Sequence, residues 1–417
     1  MRISNLYIKQ SSVQNTNKNT EKMVRTQKQL ITSQKNLAPS DDPGALITSI
    51  YHRVRINQID QYQENIGATQ SYINVAHDKI STTSGVIRRI RELALQAANG
   101  PLTNEDRINI AFELEQHLQQ VIGLSNSQYK DNFLFAGTKT GTKPFLANTT
   151  YNNALGIEVV DQVQYLGDGL ALKREIDFNK EVSLNNSGSR VFWAQNHTVV
   201  STLESENYIS PRDQRIAIDG HTVDILTGDD LSTIVEKINA NVPTAKAFIE
   251  DLEIGGKSIG LESNFPHQLS IEDHDGGTLF RELGILQAGA RGDEPFNNIS
   301  ETTIVQNGSI FEAIIRLRDS IINDQLANIS GRDLGALSQG YRNIVENQAK
   351  ISSTQSYLET TSKDLSVEKL HSVERRSQVE DVNVVEASVE YNQLSNVHRL
   401  SLQTAARLIQ PTLLDFL

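Results

Sequence analysis

The chain has 417 residues, no cysteine and a formal net charge of −12 at pH 7. Its length allows two or three domains, while the absence of cysteine excludes thiol catalysis, thiolate metal ligands and disulfide bonds. The negative charge argues against nucleic acid as the main partner. We expect no membrane span, because no run of eighteen apolar residues occurs. The first residues lack the apolar core of a signal peptide, so any export is expected to follow another route.

The first 37 residues are basic and polar. Seven Lys and Arg against one Glu give them a charge of +6, and Tyr7 is their only aromatic residue, which disfavours a nucleic-acid-binding arm. Apolar residues recur there every seven positions, but the residues between them are too polar to bury a face alone. We therefore predict that residues 1–40 and 375–417 form a terminal coiled coil that is disordered in the monomer. The residues predicted to build this coil and its contacts between subunits are Ile3, Leu6, Met23, Leu30, Leu37, Val382, Val389, Leu414, Phe416 and Leu417.

The stretch "LAPSDDPGALI" at 37–47 predicts a helix break followed by a strong helix start. Proline is favoured in a first helical turn, where its missing N–H costs nothing, and Ser or Asp side chains before it accept hydrogen bonds from free amides. Two adjacent aspartates would point about 100° apart on a helix, which disfavours a shared proton or metal. We predict a mechanical domain boundary rather than an active site, with Ser40 or Asp41 as the capping residue. The boundary residues are Pro39, Ser40, Asp41, Asp42 and Pro43.

A heptad series of isoleucines predicts one helix from about Ala45 to Asn99. This helix would be roughly 80 Å long at 1.5 Å per residue, and Asn99-Gly100-Pro101 would end it. Mostly small residues stand three positions after each isoleucine, so partner helices are expected to approach closely. The isoleucines of this predicted bundle seam are Ile59, Ile66, Ile73, Ile80 and Ile87.

After this helix the chain changes character. Thr103 and Asp106 predict the start of a further helix, and the glycine-rich "FLFAGTKTGTKPF" predicts a β-hairpin at 132–145. Residues 146–305 contain short alternating runs separated by Gly, Asn and Asp turns, with one short helix predicted from Leu231 to Ile238. We interpret this middle part as a β-rich insert.

The C-terminal third again carries a heptad seam, with polar companions at Tyr341, Gln348, Gln355 and Ser362. We predict a mainly α fold with a β-rich insert, in which both termini form an elongated antiparallel helical bundle or coiled coil. The predicted domains are the terminal coil (1–40 and 375–417), the bundle rod (41–145 and 306–374) and the outer domain (146–305). The C-terminal seam residues are Leu337, Ile344, Ile351, Leu358 and Leu365.

Two short motifs could carry chemistry. Gly256-Lys257-Ser258-Ile259-Gly260 matches a nucleophile elbow, but the elbow requires a helix after the serine and the pattern here favours a strand. The acidic run at 272–277 lacks the spaced ligands of a calcium loop, and we interpret it as a solvated turn. The sequence thus predicts no catalytic, cofactor-binding or metal-binding residues.

The opening Met1-Arg2-Ile3-Ser4, "PSDDP" at 39–43, "RELALQAANG" at 91–100, "NEDR" at 104–107 and the hairpin sequence resemble the flagellin superfamily. Within that superfamily, "PSDDP", the hairpin and the ending "PTLLDFL" are similar to the hook-associated proteins of the hook–filament junction. Residues 216–285 also resemble the small repeat found in flagellins and hook-associated proteins.

This resemblance implies a structural, non-enzymatic subunit of the bacterial flagellum that is exported unfolded through the type III route. It implies self-association in a ring or helical assembly, a hook-associated protein on the hook side and flagellin on the filament side. A flagellar export chaperone is expected on the C-terminal helix, with no nucleic acid, membrane or cofactor involved. The expected location is the hook–filament junction outside the cell, or the periplasm in a spirochaete.

Three alternatives stay open at this point. A filament flagellin is disfavoured by "PSDDP" and the hairpin. A secreted coiled-coil adhesin would also expose a β-rich insert between helices. A hydrolase would have to use Ser258 as its nucleophile.

Overall fold

The computed structural model describes residues 2–99, 102–252, 255–287, 296, 298–301, 303–306 and 308–409. Long helices lie at both ends of the chain and a β-rich region lies in its middle, which confirms the predicted mainly α fold with a β-rich insert. The chain forms two compact units. We call Met1–Glu64 with Thr360–Leu417 the terminal unit, and Asn65–Glu359 the central unit.

Four long helices form the N-terminal and C-terminal parts of the chain. They are α1 (Arg2–Thr32), α2 (Pro43–Asn99), α9 (Leu334–Glu380) and α10 (Val384–Ile409). Because α2 and α9 are long, each of them contributes to both units. None of the helices, within the described residues, is long and apolar enough to cross a membrane.

In the terminal unit, α1 packs against α10 and α2 packs against α9. The pair α2–α9 is antiparallel. Arg55 Nε donates to Glu368 at 2.7 Å, and Gln63, further along α2, donates at 2.8 Å to Ser366, which comes earlier on α9. In the central unit the same two helices again run antiparallel, with Gln355 donating to Asn74 at 2.7 Å.

The remaining helical part of the central unit consists of α3 (Asn104–Ser125), α7 (Ile310–Ile322) and α8 (Leu326–Asn328), and a π-turn at Ile329–Asp333 leads into α9. Thr103 caps α3 together with Asp106, each side chain accepting from the other's backbone amide. This capping box confirms the predicted helix start, because it satisfies two amides that the helix leaves free. The helix α2 confirms the long helix predicted from 45 to 99, with its start two residues earlier.

A buried ion pair links α3, α7 and the β-region inside the central unit. Arg318 on α7 donates to Glu115 on α3 and to the carbonyl of Val160, each at 2.7 Å. Glu115 in turn accepts from the amide of Val160 at 3.1 Å. Since both charged side chains are almost fully buried, the pair depends on these additional hydrogen bonds to offset desolvation.

The predicted hairpin at 132–145 is placed differently. Strands β1 (Gln128–Tyr129) and β2 (Asn132–Phe133) form a short hairpin whose turn residues, Lys130 and Asp131, have positive φ. The sequence from Leu134 to Pro144 forms turns rather than a strand. Asp168 holds these turns by accepting from the amide of Thr138 at 2.8 Å, which is a contact between distant residues that local alternation does not reveal.

The β-region begins with two hairpins, β3 (Phe145–Asn152) with β4 (Ile157–Tyr165), and β5 (Lys173–Asp177) with β6 (Lys180–Ser183), followed by the short helix α4 (Gly188–Val191). The predicted helix at Leu231–Ile238 is present as α5 (Leu231–Asn241). The short helix α6 (Leu279–Glu282) follows later in the chain.

Two antiparallel sheets complete the β-region. One has the order β10–β11–β7–β13 and the other the order β12–β8–β9. Both sheets and α5 bury their apolar faces in one cluster, to which Val199, Ile216, Ile234 and Leu261 belong. The strands are β7 (Thr198–Val200), β8 (Gln214–Ile218), β9 (His221–Ile225), β10 (Ala245–Asp251), β11 (Lys257–Ser263), β12 (Ile271–His274) and β13 (Ile304–Gln306).

Candidate assembly surface of the terminal helices

The start of α2 is capped by Asp42. Its Oδ1 accepts from the amide of Ala45 at 2.9 Å, and Pro43 occupies the first helical position. The prediction that Ser40 or Asp41 caps the helix is therefore wrong in its choice of residue. The cap must directly precede the first helical residue, and Asp42 alone has that position.

Asp41 instead binds the segment before it. Its Oδ2 accepts from the amides of Leu37 and Ala38 at 3.0 and 3.2 Å, and its Oδ1 lies 3.0 Å from Arg25 on α1. These two backbone hydrogen bonds, with the Arg25 charge, lower the pKa of Asp41 below its ordinary value. The two adjacent aspartates thus have separate roles, one in the helix start and one in the connection from α1.

Glu380, at the end of α9, joins three segments of the terminal unit. It accepts from Gln34 at 3.0 Å, from Ser49 at 2.8 Å, and from Arg53. Burial opposes its ionisation, but the hydrogen bonds from Arg53 and Ser49 outweigh burial and hold the pKa of Glu380 below its ordinary value. Sequence reasoning missed this residue, because its partners are more than 300 positions away.

The contact between α1 and α10 is built mostly from small polar side chains. Thr16 and Thr26 are buried, and their hydroxyls donate to carbonyls one turn earlier in their own helix. Thr20 contacts Nδ1 of His398 on α10 at 3.1 Å. Ala387 is buried on the α10 side. The hydroxyls are satisfied locally, so this interface gains little from burial of apolar area.

Large apolar side chains on the same two helices lie outside this contact. Ile31 is 74% exposed and Val385 is 75% exposed. The other exposed large hydrophobic residues of the pair, each at least 40% exposed, are Tyr7, Val13, Val24, Val384, Val389, Val397, Leu400 and Leu402. A helix pair that exposes most of its valines in this way is a candidate protein–protein interaction surface.

A second exposed stripe runs along the first turns of α2. Its residues have the spacing i, i+3, i+4 and i+7, which places them on one helix face, and each is at least half exposed. We call these residues, Ile47, Ile50, Tyr51 and Val54, together with the exposed apolar residues of α1 and α10, the assembly surface.

The structure buries all ten seam residues that the sequence predicted. Ile59 and Leu365 lie in the terminal unit and the other eight in the central unit, none more than 3% exposed. On α2 the small companions three positions later are buried as well, including Thr69 and Thr83. On α9 the sequence predicted the companions of the seam residues one position too late. Asn347 and Thr361 are buried, whereas the predicted Gln348 and Ser362 are only half-buried. The periodicity of 3.6 allows either spacing, and packing selects the first.

The residues predicted for the terminal coil fall in several places. Met23 and Leu30 are half-buried on α1, and Val389 on α10 is exposed. Leu37 does not continue their heptad series, because α1 ends at Thr32 and Ser33 adopts a positive φ of 58°. Val382 donates its amide to Ser33 between α9 and α10. The side chains of Ile3 and Leu6, and residues Leu414, Phe416 and Leu417, lie outside the described residues.

The two candidate chemical motifs lie in the β-region. Ser258 is fully buried within β11, which continues to Ser263, so the nucleophile elbow's helix is absent at this point and the predicted hairpin of β10 and β11 is confirmed. In the acidic run, Asp273 accepts from the amide of Phe280 at 2.9 Å and pairs with Arg281. Asp275 pairs with Arg215. Among the described residues, no three His, Asp or Glu side chains are placed to hold a metal ion.

Comparison with known proteins gives a family match for the N-terminal part. Residues 3–140 match the family described as "Bacterial flagellin N-terminal helical region". This segment is similar to that family. The match covers α1, α2, α3 and the β1–β2 hairpin, and it confirms the resemblance to the flagellin superfamily predicted from the sequence.

Two kinds of flagellar protein are among the relatives to which the chain is similar. The flagellar hook-associated protein 3 of Escherichia coli strain K12 is 23% identical over 194 residues, which is 46% of this chain and 57% of the relative. The flagellar filament 30.7 kDa core protein of Treponema maltophilum is 31% identical over 125 residues, or 29% of this chain and 42% of the relative. The chain thus spans about half the length of these relatives.

Solved structures with a similar course of the chain include flagellar hook-associated protein 3 from Legionella pneumophila. It is 18% identical with a TM-score of 0.45, and the similarity covers 79% of this chain and 98% of that one.

Proposed function

We propose that the protein is a structural, non-enzymatic subunit of the bacterial flagellum that connects the hook to the flagellin filament. The flagellin N-terminal region supports membership of a flagellar assembly. The relative from Escherichia coli is named flagellar hook-associated protein 3, which favours the junction over other positions in the flagellum.

One observation carries the proposal most directly. The helix pair α1–α10 places threonines in its internal contact and leaves most of its valines, with Leu400 and Leu402, on the assembly surface. Such a pair gains most of its stability only when neighbouring copies cover that surface, since apolar burial is the main favourable term in association. Ordering of the terminal helices is thereby coupled to assembly, as proposed for residues 1–40 and 375–417.

The proposed partners follow from this arrangement. Copies of the chain associate in a ring or helical assembly through the assembly surface, with a hook-associated protein on the hook side and flagellin on the filament side. Before export, a flagellar chaperone covers the amphipathic α10, whose apolar face is exposed in the single chain. The β-rich residues 146–305 form the outer domain. The assembled protein lies outside the cell, or in the periplasm of a spirochaete.

Deletion of the gene, followed by electron microscopy, tests the proposed position. Loss of a junction protein leaves bare hooks and releases flagellin monomers into the medium. Complementation then tests the assembly surface. Val385→Asp with Val389→Asp should fail to restore filaments, because two charges are placed on the contact between copies. Phe178→Asp, at an exposed hairpin tip of the central unit, is the matched control and should restore them.

Intact filaments after deletion would contradict the junction function and favour a secreted adhesin. Full complementation by the Val385→Asp and Val389→Asp variant would contradict the assembly surface without affecting the position assigned by the deletion.

A filament flagellin is the second candidate, because the Treponema maltophilum relative is named a filament core protein. Immunogold labelling distinguishes the two. A junction protein is labelled only where hook and filament meet, whereas a filament subunit is labelled along the whole filament.

A further inference from the structure

A cleft of about 1120 Å³ lies within the central unit. Its walls come from β4, β11 and β13, from the segment that follows α4, and from α7 and α9. Its volume slightly exceeds the ~300–1,000 Å³ that is typical of ligand sites. None of its lining residues belongs to the assembly surface.

Neutral carboxamides dominate the lining. Eight Gln or Asn side chains of the described residues, from six segments, border the cleft, and each carboxamide offers both hydrogen-bond donors and an acceptor. Gln195 and Gln339 face it half-buried and make no side-chain hydrogen bond within the described part of the chain. Six of the lining carboxamides belong to Gln162, Gln164, Gln195, Gln268, Gln306 and Gln339.

Three buried polar atoms of the lining residues lack partners among the described residues. They are the indole Nε1–H of Trp193 and the Nε–H of Arg316, which are donors, and Oε1 of Gln268, an acceptor. The side chains of Trp193 and Gln268 are more than nine-tenths buried. Leaving such groups unpaired costs free energy. All three atoms are covered by the surrounding protein, so a ligand with both acceptors and donors gains these hydrogen bonds when the neighbouring side chains rotate.

Charge and polarity narrow the class of ligand. Among the residues that the structure describes, three glutamates and two arginines border the cleft, so their charges nearly balance and no strongly charged ligand such as a polyphosphate is favoured. Among the described apolar residues of the lining, only Val305 is exposed, which disfavours a lipid or a flat aromatic ligand. The remaining class is neutral and rich in hydroxyl groups.

We propose that this cleft binds a neutral oligosaccharide, with the carboxamides donating to and accepting from its hydroxyls. The site is separate from the proposed role at the hook–filament junction and does not depend on it. A subunit of this kind carries a glycan-binding site on its central unit in addition to the assembly surface on its terminal unit.

The chain's single tryptophan, Trp193, provides the measurement. We titrate the full-length protein with maltotriose, cellotriose and triacetylchitotriose and follow the fluorescence of Trp193, with isothermal titration calorimetry as a second readout. At least one of the three sugars is expected to give saturable binding in both measurements. In the double variant Gln195→Ala with Gln339→Ala, binding should weaken about tenfold or more, because two hydrogen bonds are lost.

Gln116→Ala on the exposed face of α3 is the matched control and should bind as the wild type does. Circular dichroism establishes that all variants are folded. Three outcomes would overturn the proposal: no saturable binding of any of the three sugars in either measurement, equal weakening by Gln116→Ala, or saturation by polyphosphate or an extended peptide alone.

Discussion

The paired helices of the two units bury opposite kinds of side chain. In the central unit, α2 and α9 meet through isoleucines and leucines that are almost fully buried. In the terminal unit, α1 and α10 meet mostly through threonines and other small polar side chains, with Met23 and Leu30 half-buried, and leave most of their valines exposed. This difference shows that helical periodicity alone does not predict whether a helix pair is stable by itself. The chemistry of the buried stripe decides this, because apolar area removed from water supplies most of the free energy.

We expect the largest effect from a substitution that creates a cavity in the seam of the central unit. Ile80→Ala should lower the free energy of unfolding of the central unit by about 2–5 kcal/mol, since the side chain is fully buried. Ile47→Ala, on the exposed stripe of α2, should change it by less than about 0.5 kcal/mol. Urea unfolding followed by circular dichroism measures both. Equal losses would mean that the seam is not the stabilising element.

Acid should destabilise the central unit through His197. Burial first, and the nearby charge of His267 second, lower the pKa of His197 to about 4, while Asp219 opposes them. Because the unfolded histidine titrates near 6.5, the unfolded state binds the extra proton between pH 6.5 and 4. Stability is therefore full above pH 6.5 and falls by up to about 3 kcal/mol towards pH 4.

The measurement is the free energy of unfolding as a function of pH for the wild type and His197→Gln, with the exposed His221→Gln as control. The difference between wild type and variant isolates His197, because Glu272 and Glu312, whose pKa values burial raises, contribute with the opposite sign in both proteins. A difference that does not vary between pH 6.5 and 4 would refute the assignment.

A smaller effect is expected at the start of α2, where Asp42 caps the helix. Asp42→Ala should cost about 1 kcal/mol, because the amide of Ala45 loses its cap. Ser40→Ala, which removes no hydrogen bond of the described structure, should be neutral within about 0.5 kcal/mol. Thermal unfolding of the two variants distinguishes them, and a larger loss for Ser40→Ala would restore serine as the cap.

The smallest effect is expected in the terminal helix pair. Thr26→Val keeps the shape of a buried side chain and removes a hydroxyl that bonds only within its own helix. We expect a change below about 1 kcal/mol in monomer stability, measured by circular dichroism of the isolated full-length chain. A loss as large as that of Ile80→Ala would show that the two helix pairs are stabilised in the same way.

The long helices and their seams could be predicted because their signals are local. The isoleucine series on α2 and the capping box at Thr103 need only neighbouring residues. Contacts between distant residues left no such signal. The partners of Glu380, the division of roles between Asp41 and Asp42, and the choice of Asn347 over Gln348 as companion all depend on which segments meet.

The sheets illustrate the same limit. Strand β7 lies between β11 and β13, although about 60 and 100 residues separate it from them in sequence. Alternating patterns identified β-rich sequence, but pairing order is set by packing on the shared core. The cleft was missed for this reason as well, since its carboxamides come from segments spread between Gln162 and Gln339.

The buried Glu115–Arg318 pair also constrains the order in which parts of the chain can fold. Glu115 and Val160 lie in the first half of the chain, but Arg318 follows 203 residues after Glu115. Until it arrives, Glu115 must stay hydrated and β4 cannot dock on α3, because an unpaired buried carboxylate is too costly. Contacts of such long sequence separation make folding slow. The central unit therefore closes only once α7 is available to dock on α3 and β4.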